Sequence, residues 1–580
     1  KTIMSQSPQK TNLTASNVVS WLFCVLLLWR LCSFSSKNEI SDTIATALFA
    51  LTACFFCYYA KRFLLSSPIV KWWLIYTIAL LALWPFWENT FAQFLRYPTL
   101  LSPVFVAIAV YEAPKNIKKK LLGTIVLAGC LHGVACLWQF FILYPQLLID
   151  AQELQLTKAQ IFRLEQGRTL GLGTSPDLAA MICIAALFIG AQLFRTEKKH
   201  RPILLVGSVI TFCGLALTRS TGGLLSVFVG LGIILLLSRK QKSGNLLLPT
   251  LVILSIVAFV IGFRGIDALQ TSSHERWLNW KGTLAIIQNH LLQGVGPGGF
   301  PGAYELYRPI GSNITQFAHS FPLQLTAELG MIGLGLCLFM YAYLFQGILP
   351  ANKLTDDKSN NWIIAAVIAL WTHNLIDYGF SHPQTVTLLA LTTLLPFMDE
   401  TQAKSLMPPA IQRYQMGVLI IATIMISYAV SFAAKRNTLL SKSRHVNTSV
   451  SQLSSWVSQY PKDYEAQIAL MSRAYYEQTH CEENCDTWKQ KSKYLADLWE
   501  AKNPNIAAGW LLAARISHSH GASQKALEYL NKALALHPGM PQAWKFKLAT
   551  FSHDPNYATW YKEASQWLHG TYQLKGFKRP

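Results

Sequence analysis

The sequence is poor in charge, above all in acidic residues. Only 14% of its 580 residues are Asp, Glu, Lys or Arg, and 50 basic residues stand against 29 acidic ones. Soluble domains carry roughly 25% charged residues, so this shortage excludes an ordinary soluble protein. Hydrophobic residues make up 52% of the chain. The composition therefore predicts a membrane protein.

Several motifs of common enzymes are also missing. The glycine-rich stretch QGVGPGGF at 293–300 lacks the lysine and the preceding strand of a nucleotide-binding phosphate loop, so it predicts only a tight turn. No pair of carboxylates suggests a glycoside hydrolase. The polar motif CEENC, with Cys481 and Cys485, offers two sulfur ligands, which favours a local disulfide in an oxidising compartment over a metal site.

Long apolar runs begin near residue 18 and recur to about residue 433. Runs of this length can cross a bilayer as helices. The pattern predicts an all-α polytopic bundle of about thirteen transmembrane helices, near residues 18–36, 43–60, 71–87, 99–113, 121–145, 176–194, 202–218, 222–238, 246–263, 319–346, 361–378, 383–398 and 412–433.

Alternate connections between these runs carry clusters of basic residues. The clusters are Lys61 and Arg62 with Lys71, Lys115 with Lys118 to Lys120, Arg195 with Lys198, Lys199 and Arg201, Arg239 and Lys240 with Lys242, and Lys404 with Arg413. Basic connections stay in the cytoplasm, which predicts a cytoplasmic N-terminus. The expected location is a bacterial inner membrane, with the other connections and the C-terminal region in the periplasm.

Two domains are expected. A transmembrane domain covers 1–434 and includes a long periplasmic loop at 264–318, and a periplasmic helical domain covers 435–580. In this second domain the stretch 522–549 has the apolar spacing of a tetratricopeptide repeat, with Ala526, Tyr529, Leu530, Ala533, Leu534, Ala543 and Trp544 as its core positions. Stacked helix pairs of this kind present concave surfaces to protein partners. A scaffolding role is equally compatible with the pattern.

Arg168, Arg219, Arg276 and His319 fall near helix ends on the predicted periplasmic face. Charges near a bilayer are costly unless they meet partners or line a wet cavity, so all four are functional candidates, with interfacial snorkelling as the alternative. Ser220 and the glycines after Arg219 form a turn rich in amides and hydroxyls. Two guanidinium groups and a nearby helix N-terminus suit a pyrophosphate.

His319 stands just before an apolar helix. Histidine is the side chain that most readily exchanges a proton near neutral pH, so it could accept a proton from an attacking hydroxyl. A packing or capping role is the alternative. Glu328 lies nine residues further along, where Gly330, Gly333 and Gly335 would permit close helix approach.

The order of these motifs resembles the O-antigen ligase and polymerase superfamily. The resemblance rests on Arg168 with Gly171, Arg219 with Ser220, Gly222 and Gly223, Arg276 with Trp280, His290 with Gly294, Gly296, Gly298, Gly299 and Phe300, and His319 with Glu328, Gly330 and Gly333. Within it, the stretch THNLIDYGFSHP at 372–383 and the long C-terminal region are most similar to bacterial protein O-oligosaccharyltransferases, also called pilin-glycosylation ligases. Ser320 departs from the asparagine common after the histidine.

The resemblance implies that a glycan passes from undecaprenyl-pyrophosphate to a Ser or Thr hydroxyl of a pilin-like acceptor protein, with inversion and without a metal, a nucleotide sugar or another cofactor. His319 would be the base, and Arg219 and Arg276 would stabilise the pyrophosphate. Substrate-binding roles fall to Arg168, Ser220, Trp280 and His373. Expected partners are the lipid-linked glycan, the acceptor protein and membrane lipids, and no nucleic acid.

Two other functions remain open at this stage. The first is an O-antigen ligase or polymerase that uses the same chemistry on a lipid or glycan acceptor. The second is a lipid-linked glycan transporter or flippase. Paired broken helices, which are typical of many transporters, are not evident in the sequence, and the charges gather at one face instead of the midplane.

Overall fold

A computed structural model describes the protein over residues 9–32, 39–60, 68–83, 90–114, 117–154, 161, 164–238, 266–313, 315–344, 360–377, 379, 382–398, 450–481, 484–502 and 504–568, and over short runs and single residues between 414 and 440. These parts of the chain contain helices and connections and no β-strand. The all-α fold class is therefore confirmed. The chain forms two compact units, one of 1–83, 96–273 and 319–430 and the other of 84–95, 274–318 and 431–580.

The first unit is built mainly from apolar helices. They are α1 (Gln9–Cys32), α2 (Glu39–Ala60), α3 (Pro68–Leu83), α4 (Thr90–Glu112, whose first residues belong to the second unit), α5 (Ile117–Trp138), α6 (Tyr144–Ile149), α7 (Pro176–Thr196), α8 (Arg201–Thr218), α9 (Thr221–Ser238), α12 (Phe321–Tyr343), α13 (Asn361–Ile376) and α14 (Pro383–Leu394). The less apolar α10 (Ile266–Asn289) begins in the first unit and lies mostly in the second. The second unit contains α11 (Phe300–Tyr307) and the tail helices described below.

The helices agree closely with most of the predicted spans. Four described stretches are long and apolar enough to cross a membrane, namely Ile117–Ile149, Pro176–Thr196, Lys198–Thr218 and Phe321–Tyr343, and other apolar helices are shorter. The predicted span 246–263 lies outside the described residues, and 412–433 is described only in part. The total of about thirteen spans stays a prediction.

Exposed apolar side chains indicate whether these helices lie in water or in lipid. Trp21 on α1, Phe141 beside α6 and Ile203 on α8 are all more than half exposed. Large contiguous apolar surfaces are unfavourable in water, whereas lipid covers them without cost. The apolar helices thus indicate an integral membrane protein.

Helix α7 forms the centre of the first unit. Pro176 occupies its first turn, and the Ser175 hydroxyl caps it by accepting a hydrogen bond from the Leu178 amide at 3.1 Å. Nearly every residue from Asp177 to Ala186 is buried, because α5, α8, α9, α13 and α14 pack around this helix. A helix that is apolar on all sides belongs in such an interior position. The N-terminus of α7 is therefore held rigidly.

Helix α12 begins two residues later than predicted and bends within its length. His319 has a φ of 53° and Ser320 is extended, so the helix starts at Phe321. Gly330 adopts a φ of 62° and a ψ of −143° inside the helix. A residue with a side chain rarely adopts this conformation. Gly330 therefore serves as a kink, which differs from the close helix approach proposed for it from the sequence.

The tail is a series of helices that pack on their neighbours in sequence. These are α15 (Val450–Gln459), α16 (Tyr464–His480), α17 (Cys485–Lys502), α18 (Ala507–Ser519), α19 (Ser523–Leu536), α20 (Pro541–Thr550) and α21 (Tyr557–Leu568). The predicted repeat positions from Ala526 to Trp544 are buried. Cys481 and Cys485 form a disulfide between α16 and α17. Assignment to the tetratricopeptide family stays a prediction.

Candidate active site

The segment before α7 positions Arg168. Gln139, in a π-helical turn after α5, accepts hydrogen bonds from the amides of Leu170 and Gly171 at 2.8 and 3.0 Å. Gly171 has a φ of 60°, and a methyl group there would lie 2.7 Å from the His132 ring. Glycine is therefore required at this turn. The fixed backbone directs Arg168 towards the end of α8, where its Nε donates to the Thr218 carbonyl at 3.4 Å.

The turn between α8 and α9 holds Arg219 and Ser220. Arg219 ends α8 in the left-handed conformation, with a φ of 49°. Its guanidinium donates to the Gln166 carbonyl at 2.6 Å, on the same segment that carries Arg168. The Ser220 hydroxyl accepts from the Gly223 amide at 3.1 Å and so caps the start of α9. The two predicted arginines thus emerge from adjoining backbone segments.

A buried polar cluster lies beside these two turns. The Ser220 hydroxyl donates to Asp177 Oδ1 at 2.6 Å, and the Arg168 guanidinium lies 3.8 Å from the same oxygen. One donor atom each of Asp177, His373 and Asp377 lies within 4.8 Å of the others, and all three residues are buried. Because burying charge among apolar helices is unfavourable without compensation, such a cluster marks a functional site.

His319 joins this cluster through a carboxylate. Its Nδ1 lies 3.5 Å from Asp377 Oδ1, and 24% of its side chain is exposed whereas Asp377 is fully buried. Asp377 ends α13 in an extended conformation, which turns it from the helix axis towards His319. The Nδ1 edge of the imidazole thus meets a buried carboxylate, and the ring remains partly accessible.

Asp177, His373 and Asp377 also have the donor types of a divalent metal site. Each carboxylate already has a neighbouring side chain, however, because Ser220 and Arg168 approach Asp177 and His319 approaches Asp377. The arrangement fits a network that exchanges hydrogen bonds and protons, and we assign no metal to it.

Five of the seven residues singled out in the sequence meet in this part of the first unit: Arg168, Arg219, Ser220, His319 and His373. Arg276 and Trp280 lie on α10 in the second unit, and their roles rest on the sequence resemblance. Sequence reasoning missed the importance of Asp177 and Asp377. Each is an acidic residue at the end of a strongly apolar helix, and that signal identifies both.

Fold and site together define a polytopic helical membrane protein with a basic, histidine-containing polar site at its helix ends. Residues 206–338 match the family described as O-Antigen ligase. This match, which includes Arg219, Arg276 and His319, supports membership of the chain in the O-antigen ligase superfamily. The comparison with curated proteins gave no match.

Proposed function

We propose that this protein transfers a glycan from undecaprenyl-pyrophosphate to a Ser or Thr hydroxyl of a periplasmic, pilin-like protein. Glycan transfer of the ligase type in general is supported by the family match over residues 206–338. The finer proposal is supported by the resemblance to protein O-oligosaccharyltransferases and by the large tail. The observation that carries it is the contact between His319 and Asp377 beside Arg168 and Arg219.

His319 is the general base in this proposal. The Asp377 carboxylate beside Nδ1 favours the tautomer that carries hydrogen on Nδ1, which leaves the Nε2 lone pair to accept a proton. The acceptor O–H gives its proton to Nε2 while its oxygen bonds to the anomeric carbon. The resulting imidazolium is stabilised by Asp377.

Arginine acts on the leaving group. As the acceptor oxygen bonds to the anomeric carbon, the bond to the pyrophosphate oxygen breaks, and the pyrophosphate keeps the electron pair. A single displacement inverts the anomeric configuration. Arg219, with Arg168 beside it, binds the developing charge, because guanidinium groups remain charged and pair bidentately with phosphate oxygens. The sequence resemblance implies the same role for Arg276.

The compartment follows from the same chemistry. Pilin-like acceptors and undecaprenyl-linked glycans meet in the periplasm, which agrees with the basic connections predicted for the cytoplasm. The Cys481–Cys485 disulfide supports an oxidising compartment for the tail. We therefore propose a bacterial inner-membrane protein whose N-terminus is cytoplasmic and whose site and tail are periplasmic.

The test compares His319→Ala and Arg219→Ala with Glu328→Gln. Each of the first two is expected to abolish transfer to a co-expressed acceptor protein, as measured by mass spectrometry of periplasmic proteins. Glu328 accepts a hydrogen bond from Gln324 at 2.8 Å within α12, the helix that follows His319, so the control removes a nearby charge and keeps an acceptor. Full transfer by either alanine variant would remove that residue from the site.

A second acceptor class is favoured by the family match itself, which is described as O-Antigen ligase. The same site would then place the glycan on a lipid or on another glycan. Lipid and polysaccharide fractions from the same cells decide between the two. Glycan gained by these fractions, with proteins unmodified, would support the ligase or polymerase alternative.

A further inference from the structure

Helix α11, in the loop between α10 and α12, packs against the tail. Its Glu305 Oε2 lies 3.1 Å from Nδ1 of His537, which follows α19. The Arg308 guanidinium, just after α11, lies 5.3 Å from the ring centroid of Trp567 on α21. Both Arg308 and His537 are buried. All these residues belong to the same compact unit.

Gly539 shows how close this contact is. It lies in the turn between α19 and α20, and a methyl group there would overlap the Arg308 guanidinium. Arg308 is also held from its own side, because its Nη1 donates to the Ser312 carbonyl at 2.9 Å. A buried arginine with fixed hydrogen-bonding and ring partners positions the segment that carries it.

The contact with Glu305 involves an uncharged His537. Burial, with the nearby Arg308 charge, lowers the pKa of His537 to about 4, and burial raises the pKa of Glu305. At neutral pH the imidazole is therefore uncharged, and its contact with the Glu305 carboxyl group is not an ion pair.

The same loop is tied to α10. The Tyr304 hydroxyl donates to Asn279 Oδ1 at 2.8 Å, and both residues are buried. Gly282, one turn later on α10, leaves room for the Tyr304 ring, since a methyl group there would lie 2.6 Å from it. Arg276 lies one turn before Asn279 on α10. Contacts therefore run from the tail through α11 to the helix that carries Arg276.

We propose that the tail is a brace that positions Arg276, with Arg308 as the positioning residue at the contact. This inference rests on the proposed function, because Arg276 is taken to bind the pyrophosphate of the donor. It gives the tail a role in every transfer reaction of the protein, whatever the acceptor. A tail that served only to recruit protein acceptors would act on acceptor binding alone.

The experiment measures transfer kinetics with the full-length protein in nanodiscs, a lipid-linked glycan donor and a short serine peptide. Arg308→Ala is expected to lower kcat/KM for the donor about tenfold, because small displacements of a binding group have large effects on rate. KM for the peptide should change less than about twofold. Gly539→Ala displaces the same guanidinium and should give the same loss. Arg515→Ala is the matched control, since that arginine stacks on Phe546 within the tail.

A double-substitution cycle tests the route through Arg276. Arg276→Lys keeps the charge and loses the bidentate geometry, so it should retain measurable activity. In that background Arg308→Ala should add less than about a twofold loss, since residues on one route are not additive. Hydrogen exchange should become faster in peptides from α10 and α11 of Arg308→Ala and Gly539→Ala, and stay unchanged in α16 and α17.

Three results would refute the proposal that the tail positions Arg276. The first is that the losses caused by Arg276→Lys and Arg308→Ala are fully additive. The second is that Arg308→Ala raises KM for the peptide and leaves the kinetic constants for the donor unchanged. The third is that hydrogen exchange in α10 is unchanged in Arg308→Ala. Failure of the proposed function looks different, because His319→Ala would then retain transfer. If His319→Ala is inactive and Arg276→Lys is fully active, the base assignment stands and the brace is refuted.

Discussion

Asp377→Asn tests the proposed base most directly. The substitution removes a full negative charge and nearly preserves shape, at an atom 3.5 Å from His319 Nδ1. Two unit charges at that distance interact by roughly 5 kcal/mol at an effective dielectric constant of about 20. His319 is 24% exposed, so solvent weakens the interaction, and we take about half of this value.

About 2.5 kcal/mol corresponds to a loss of roughly 70-fold in rate. The carboxylate matters most when the imidazole becomes positive, which happens only as it takes the proton from the acceptor. An interaction confined to the transition state lowers kcat and kcat/KM equally and leaves KM unchanged. We therefore expect kcat to fall about 50- to 100-fold, with donor and acceptor KM within about twofold.

The assay is initial-rate transfer of glycan from the lipid-linked donor to a serine peptide by protein in nanodiscs. Glu328→Gln is the matched control for loss of one carboxylate and should remain near wild type. If kcat of Asp377→Asn stays within about threefold of wild type, Asp377 does not assist a base at His319. A defect confined to KM would instead assign Asp377 to substrate binding.

Other substitutions examine the surroundings of the site and the tail. Ser220→Ala removes the hydroxyl that caps α9 and donates to Asp177, so transfer in the same assay should fall about tenfold, and wild-type rates would contradict this role. Arg436→Met leaves Asp463 buried without its bidentate partner, so the free energy of unfolding of the tail should fall by about 3 kcal/mol, measured by proteolysis against temperature. An unchanged unfolding temperature in this variant would refute a stabilising role for Arg436. Burial lowers the pKa of His537 from 6.5 to about 4 in the folded tail. Between these two values the unfolded tail binds a proton more readily than the folded tail does. The free energy of unfolding should therefore fall by about 1.4 kcal/mol for each pH unit below 6.5. His537→Gln should lose this pH dependence in the same proteolysis assay. An equal pH dependence in the variant and the wild-type protein would mean that another group causes it.

Much of the fold is predictable because it depends on local features. Apolar runs select helices in a bilayer, since a spanning segment must satisfy its own backbone hydrogen bonds. The predicted span at 176–194 begins where α7 begins, with Ser175 as its cap and Pro176 in its first turn. The motifs around Arg168, Arg219 and His319 were likewise visible, because each is a short stretch with unusual polarity or glycine content.

The partners within the site depend on contacts between distant residues. Asp177 and Asp377 are separated by most of the transmembrane region, and only the packing of α7 against α9 and α13 brings them near Ser220, His373 and His319. No spacing rule connects residues so far apart. The kink at Gly330 was missed for a similar reason, since glycine in an apolar helix suits a bend and close packing equally well.

By itself, the sequence determined that this protein is helical and membrane-embedded, and that basic and histidine side chains stand at helix ends. These properties follow from hydrophobicity and short-range geometry, which neighbouring residues settle among themselves. The tertiary structure decided that Asp377 lies beside His319, that Asp177 meets Arg168 and Ser220, and that α11 packs on the tail. Those choices required helices distant in sequence to share one interior, where a buried polar group is stable only if another supplies its partner.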